Sequence, residues 1–257
     1  MRVTVDTEGG IDGNSCHGAQ PFGVVMAGGH GNRLRESGVD GEKALLHVGG
    51  QPLIQHSLDD MVAAGITQIG VVSRPDQFEL HEWLEGWAAQ TPTEVTRLTQ
   101  KRPGTLGAVL AGLDAAPGVV VLSTCDVIAA PGTVAQLLDH KATSEAVAAT
   151  LATTRLIHDK QPIWVKLDGS GRVADIGKEI SATGACFGHV RVLFPSFAAL
   201  ARLEDPDTTR DTLLLGRIAR QDPQAMVAVE CGPIIDVDEA ADIPVAEALL
   251  AGGFREP

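Results

Sequence analysis

The 257-residue sequence contains no tyrosine, and only 4% of it is aromatic. That leaves little from which to build a stacking platform for nucleic-acid bases. Positive charge is also scarce: 20 Lys and Arg face 33 Asp and Glu, a formal net charge of −13. Such a surface repels a phosphate backbone or an anionic bilayer, which argues against nucleic-acid and membrane binding. A local cationic pocket for a small phosphate ligand stays compatible with that balance. No apolar run reaches membrane-spanning length and no secretory signal pattern appears, so a reducing cytoplasm is the expected location. The four cysteines, Cys16, Cys125, Cys186 and Cys231, are too dispersed for a Cys-x-x-Cys metal site. The last three stand among apolar residues and read as small packed hydrophobes. Eight histidines show no metal-ligand spacing, and no Ser-His-Asp set stands out.

What is present is a soluble α/β pattern. The first twenty residues, rich in Gly, Asp and Ser, are expected to form a flexible leader, in which Cys16-His17 supplies only two neighbouring metal ligands. Residues 21–257 are read as one domain, long enough for a substantial core. Gly23–Met26, Ile69–Val72, Glu94–Leu98 and Val119–Ser123 read as strands. Between them, helices are expected over Pro52–Ala64 with Gly65 as its cap, over Phe78–Ala88 and over Thr105–Ala115. Alternation of this kind implies a mostly parallel sheet covered on both faces, a Rossmann-like three-layer αβα sandwich. Farther on, Ala146–Thr153 reads as a strand, and Ile163–Leu167 with Val173–Ile176 as an antiparallel hairpin turning at Asp168–Gly171. Helices around Phe197–Leu203 and Asp211–Ala219, strands at Met226–Val229 and Ile234–Ile235, and a last helix ending near Leu250 complete the reading.

The richest segment runs from Gly23 to Leu46. A buried strand opens into Gly28, Gly29 and Gly31, then Arg33, with a second cation at Lys43. Glycines there let backbone N–H groups approach a ligand closely, and two nearby cations suit a polyphosphate. A dinucleotide fingerprint fails because Leu34 stands where its third glycine belongs. A Walker A loop fails because Lys43 follows Glu42 and precedes Ala44. Downstream, Asp126 ends an apolar strand, where ligands sit in an open α/β sheet. Asp236 and Asp238 are two residues apart, so an extended strand points both carboxylates to one face. Oxygen ligands of this kind suit Mg²⁺. Taken singly, each acid could equally cap a helix or face solvent.

Together, Ala27-Gly-Gly-His-Gly-Asn-Arg33-Leu34, Lys43-Ala-Leu45 and Gly50-Gln-Pro-Leu-Ile54 resemble the signature of nucleotidyltransferases that join a nucleoside triphosphate to a sugar phosphate or alcohol phosphate. Glu42 departs from it, since the family usually has proline before the lysine. Val121–Asp126 and Asp236–Glu247 resemble the family's two acidic segments, with Glu239–Ala241 replacing Thr-Pro-Glu. Pro244 is unexpected in the second segment and implies that the last helix starts later or kinks. The resemblance implies a glycosyltransferase-A-like fold, an NTP site at Ala27, Gly28, Gly29, His30, Gly31, Asn32, Arg33, Lys43, Gly104 and Thr105, and metal ligation by Asp126, Asp236 and Asp238. Gly104-Thr105 resembles the family's Gly-Thr turn near the nucleobase, and Thr105 also reads as a helix cap. Ile176–Lys178 and Thr183–Gly188 resemble inositol-phosphate and phosphocholine-type cytidylyltransferases, which implies that Lys178 faces the acceptor phosphate.

The activity so implied is Mg²⁺-dependent: an NTP, with CTP favoured, and a phosphorylated sugar, polyol or amino alcohol give an NDP-linked product and pyrophosphate. The acceptor's phosphate is already an anion, so positioning and charge stabilisation carry the catalysis rather than a strong base. Arg33 and Lys43 would supply the charge. A molybdenum-cofactor-type guanylyltransferase, suggested by Glu42–Leu46 and Leu110–Leu113, is the alternative within the class. The longer gap between glycines and lysine, and the hairpin, count against it. A nucleotide-sensing subunit without turnover is the alternative of another class. The partners expected are the NTP and its small acceptor. Oligomeric state, including a homo-oligomer, is left open.

Overall fold

A computed structural model describes residues 20–140 and 147–252. The expected leader up to residue 19, including Cys16-His17, and Ala146 lie outside the described residues. The first half alternates as the sequence implies: β1 (Phe22–Met26), α1 (Asn32–Glu36), β2 (His47–Val48), β3 (Gln51–Pro52), α2 (Leu53–Ala63), β4 (Gln68–Val72), α3 (Phe78–Ala88), β5 (Glu94–Leu98), α4 (Gly104–Ala115) and β6 (Val120–Thr124). There follow β7 (Val127–Ala129), α5 (Thr133–Asp139), β8 (Ala149–Thr154), β9 (Trp164–Leu167), β10 (Val173–Gly177) and β11 (Cys186–Leu193). The rest comprises α6 (Pro195–Arg202), α7 (Asp211–Gln221), β12 (Met226–Glu230), β13 (Ile234–Asp236) and α8 (Asp242–Leu250).

Nine strands make one mixed sheet. Across it run β12, β8, β11, β6, β1, β4 and β5, with the β9–β10 hairpin meeting the start of β11. The strands β6, β1, β4 and β5 are mutually parallel, while β11 runs antiparallel to β6 and β8. In β1, Val24 and Val25 are fully buried on opposite faces. Val24 joins one core with Leu106, Val109 and Leu110 of α4, whereas Val25 joins another with Ile54, Leu58 and Met61 of α2. That double coverage is why the strand reads as a continuous apolar run rather than an alternating one. Burial of each such side chain contributes about 1.5–3 kcal/mol.

Helix α2 ends as expected at Gly65, which has φ +84°: its N–H donates to the Val62 carbonyl and that of Ile66 to Met61. Two expectations are corrected. Pro244 does not delay the last helix, because α8 already starts at Asp242. In that first turn the missing proline N–H has no helical acceptor to lose. Nor does Thr105 cap α4: the cap position is Pro103, without a side-chain bond, and the Thr105 hydroxyl is engaged elsewhere. Among the described residues no helix is long and apolar enough to cross a membrane. Cys125, Cys186 and Cys231 are buried free thiols, and burial pushes Cys186 and Cys231 up to about 11.

Candidate active site

The glycine segment leaves the sheet after the Ala27 N–H has bonded to the Val72 carbonyl. Arg74 then donates to the Gly28 and Gly29 carbonyls at 2.9 and 3.0 Å, and Gln77 donates to the Ala27 carbonyl at 3.1 Å. Three consecutive carbonyls are thereby tied to the segment ahead of α3, which fixes the loop's course. Gly31 turns with φ +63°, and a Cβ there would stand 3.1 Å from the Lys43 Cβ. The left-handed conformation and the close approach both require glycine. Arg74 and Gln77 carried no signature in the sequence, since a loop arginine before proline resembles any solvated one.

The acidic residues are joined by a ladder of only three residues a side. Strand β13 pairs antiparallel with β7, Asp236 opposite Val127, and the Val237 N–H donates to the Asp126 carbonyl at 2.9 Å. Asp238 lies beyond the end of β13, and its N–H is held by the Asp242 side chain at 2.8 Å. One carboxylate oxygen from each of Asp126, Asp236 and Asp238 lies within 4.8 Å of the others. Two unit charges about 4 Å apart repel by roughly 4 kcal/mol at an effective dielectric near 20. Lys43 answers part of this, with its Nζ 2.5 Å from Asp126 and 2.7 Å from Asp238. Arg33 lies 2.6 Å from the other oxygen of Asp238 but is half-exposed, so solvent screens it.

The ionisation equilibria follow this crowding. Burial alone would lower the Lys43 ammonium, yet Asp126, Asp236 and Asp238 together raise it well above its usual range. Burial would raise Asp126, but the Lys43 charge holds it low. Asp236 is pushed well up, by burial and then by Asp126 and Asp238. One carboxylate oxygen of Asp126 and one of Asp236 are buried without a hydrogen-bond partner. Three carboxylates with two orphaned oxygens fit a hard divalent cation that takes oxygen ligands.

Loop and acids share a cleft of about 690 Å³ lined by Gly28–Arg33, Lys43, Gly104, Thr105, Asp126 and Asp238 among others. Ala27 is buried and lies behind this wall, contributing its carbonyl to the Gln77 bond. Asp236 faces the neighbouring clefts on the other side of the acidic group. Lys178 is not in the glycine cleft. It lines an adjoining one of about 410 Å³ with His189, Arg210, Asp211 and Arg220. Met26, Thr105 and Thr124 form a wall common to both.

Three residues of this region were not singled out in the sequence. His189 sits at an irregularity of β11 with φ +58°, a conformation rare for a side-chain-bearing residue. Burial lowers its imidazole, against the pull of Asp126 and Asp211. Arg191 and Asp211 form a buried ion pair at 2.5 Å. Burial would raise Asp211, but Arg191 and then the Thr105 hydroxyl hold it low. Asp211 had read only as a helix start, and a bulged histidine leaves no periodic signal.

The chain is similar to proteins of known activity over part or most of this architecture. The low-salt glycan biosynthesis nucleotidyltransferase Agl11 of Haloferax volcanii is 35% identical over 81 residues, 32% of this chain and 23% of the relative. The 2-C-methyl-D-erythritol 4-phosphate cytidylyltransferase of Nocardia farcinica is 36% identical over 95 residues, 37% of this chain and 38% of the relative. The chain thus matches well under half the length of either relative. The inositol-1-phosphate CTP transferase from T. maritima superposes with a TM-score of 0.75 at 18% identity, covering 91% of this chain and 96% of that one. This likeness establishes the shared α/β nucleotidyltransferase fold. The model of the MobA-like NTP transferase domain matches residues 23–208, from the strand feeding the glycine loop to the segment ahead of α7, and the chain belongs to that family.

Proposed function

We propose that this chain is a Mg²⁺-dependent nucleotidyltransferase that couples an NTP, CTP preferred, to a phosphorylated sugar, polyol or amino alcohol. The observation that carries the reading is the shared wall: a cleft with glycine loop, Lys43 and acidic group backs onto a second cleft containing Lys178. An oxygen of the acceptor phosphate attacks the α-phosphorus, the bond to the β-phosphate oxygen breaks, and pyrophosphate leaves with that electron pair. Asp126, Asp236 and Asp238 would hold the Mg²⁺, which when bound supplies charge neutralisation at the triphosphate. Arg33 forks onto phosphate oxygens, and Lys43 serves as a point charge. In the free chain both cations lie against the carboxylates, ready for redistribution when phosphates enter. Residues of the Gly28–Asn32 loop and of the Gly104-Thr105 turn cradle the nucleotide, and Lys178 meets the acceptor phosphate.

Preference for CTP draws on the Ile176–Lys178 segment and on the similarity to the cytidylyltransferase relative and the CTP transferase. Membership of the MobA-like NTP transferase family supports a second reading, in which GTP is the donor as in a molybdenum-cofactor-type guanylyltransferase. A matrix of four NTPs against phosphorylated acceptors, read by pyrophosphate release with and without Mg²⁺, separates the two. Nucleotide binding without release across the whole matrix would instead support a sensing subunit.

A further inference from the structure

The wall between the clefts is built unusually tightly. The Thr105 hydroxyl donates to Asp211 Oδ1 at 2.5 Å and accepts the Asp211 backbone N–H at 3.2 Å. Beside it the Leu106 N–H donates to the Thr209 carbonyl at 3.0 Å. Gly104 has φ +78°, and a Cβ there would stand 2.2 Å from the same Thr209 carbonyl oxygen. The nucleotide-side turn at the start of α4 is thus sewn to the acceptor-side start of α7. Behind the seam, Arg191 donates to Asp211 Oδ2 at 2.5 Å.

This arrangement is expensive as a stabilising device. Arg191 is 1% exposed, and its Nε and Nη1 have no hydrogen-bond partner. Its guanidinium lies 5.4 Å from the Phe187 ring centroid. A buried ion pair with unsatisfied donors is commonly no more stable than apolar packing of the same volume. What the pair does achieve is to keep Asp211 charged and directed at Thr105, which engages the hydroxyl's proton and one of its acceptor sites within the protein. The hydroxyl is therefore a joint between the two clefts.

We infer that Asp211, backed by Arg191, is a positioning residue that acts through Thr105 to hold the nucleotide-side turn in register with the acceptor cleft. The inference rests on the nucleotidyl-transfer reading of the site. Misregister of the two reactants lowers turnover steeply while leaving nucleotide affinity nearly intact.

The test uses Thr105→Val, Thr105→Ser and Asp211→Asn in the full chain, with pyrophosphate-release kinetics and amide hydrogen exchange. Thr105→Val is nearly isosteric and is expected to lower kcat at least tenfold with the KM for NTP within twofold. Thr105→Ser should restore most of kcat. Asp211→Asn should repeat the Thr105→Val kinetics, but it leaves Arg191 without its counter-charge, so Thr105→Val carries the decision. In exchange, Thr105→Val should release the Leu106 and Asp211 amides together, at least tenfold, with β1 and β6 unchanged. Release of one amide without the other, a raised KM with kcat preserved, or failure of serine to rescue would overturn the inference. Wild-type protein that releases no pyrophosphate with any pair would instead remove the proposed activity, and the exchange measurement would still decide whether the joint exists.

Discussion

The Val237 N–H donates to the carbonyl of Asp126 at 2.9 Å, and this bond extends the ladder that sets the two acidic segments side by side. Asp126 is therefore both a backbone partner of the later segment and a member of the acidic group. Its carboxylate can be altered without touching that backbone bond. Asp126→Asn keeps the backbone bond and the side-chain volume. It is expected to retain its fold by circular dichroism and to lose about 10²-fold or more in pyrophosphate release. A folded variant with unchanged turnover would remove Asp126 from the site.

Lys43 is nearly buried and sits among three carboxylates. Lys43→Met should therefore destabilise the metal-free protein by about 3 kcal/mol, as removal of one side of a buried pair does. Millimolar Mg²⁺ should return part of that loss, because the cation neutralises the same carboxylates. Urea unfolding with Mg²⁺ and with EDTA measures both effects. Turnover should not return with the metal.

Metal binding itself should stabilise the wild type. At a Mg²⁺ concentration one hundred times Kd, linkage contributes about 2.7 kcal/mol. Asp236→Asn should abolish most of this increment in a thermal melt, even though Asp236 lies outside the glycine cleft. An equal shift in the variant would exclude it as a ligand.

Gly31→Ala must hold a side chain at φ +63° while its Cβ meets the Lys43 stem at 3.1 Å. The left-handed conformation alone costs about 1–2 kcal/mol. We expect a stability loss of that order and a lower kcat from displaced Lys43, read by urea unfolding and by pyrophosphate release.

Arg74→Ala frees the carbonyls of Gly28 and Gly29. The loop should lose its fixed course, which raises the KM for NTP about tenfold, equivalent to roughly 1.4 kcal/mol of charge-assisted hydrogen bonding. A change in KM below twofold would show that the loop keeps its shape without this brace.

In the parallel half β1, β4 and β6 were legible because they are covered on both faces. Val24 and Val25 both had to be apolar, and the run was unbroken. The glycine loop was legible because Gly31 admits no side chain where it turns. Asp236 and Asp238 were legible as a motif, but their nearness to Asp126 was implied only by the family resemblance and not by any pattern, since a strand of three residues has no period to read. Thr105 was misread as a cap because a threonine at a helix start commonly is one, and only its partner Asp211, distant in sequence, redirects the hydroxyl. Pro244 was misread for a related reason. Its cost depends on its place in the turn, and the onset of α8 at Asp242 puts it where that cost vanishes. Arg74, Gln77 and His189 act through backbone carbonyls or an irregular strand, for which sequence patterns hold no template.

The pairing of β7 with β13 also has a consequence for the order of events during synthesis. β7 and Asp126 emerge with the first half of the chain, together with the glycine loop and Lys43, whereas β13 follows more than a hundred residues later. Contacts of such long sequence separation form only after a large loop has closed. A nascent chain can thus complete its parallel core, with the loop in place, well before it owns a competent centre for chemistry. Ribosome-stalled chains that expose residues up to about 230 should resist protease over β1 to β6 and yet gain nothing from added Mg²⁺.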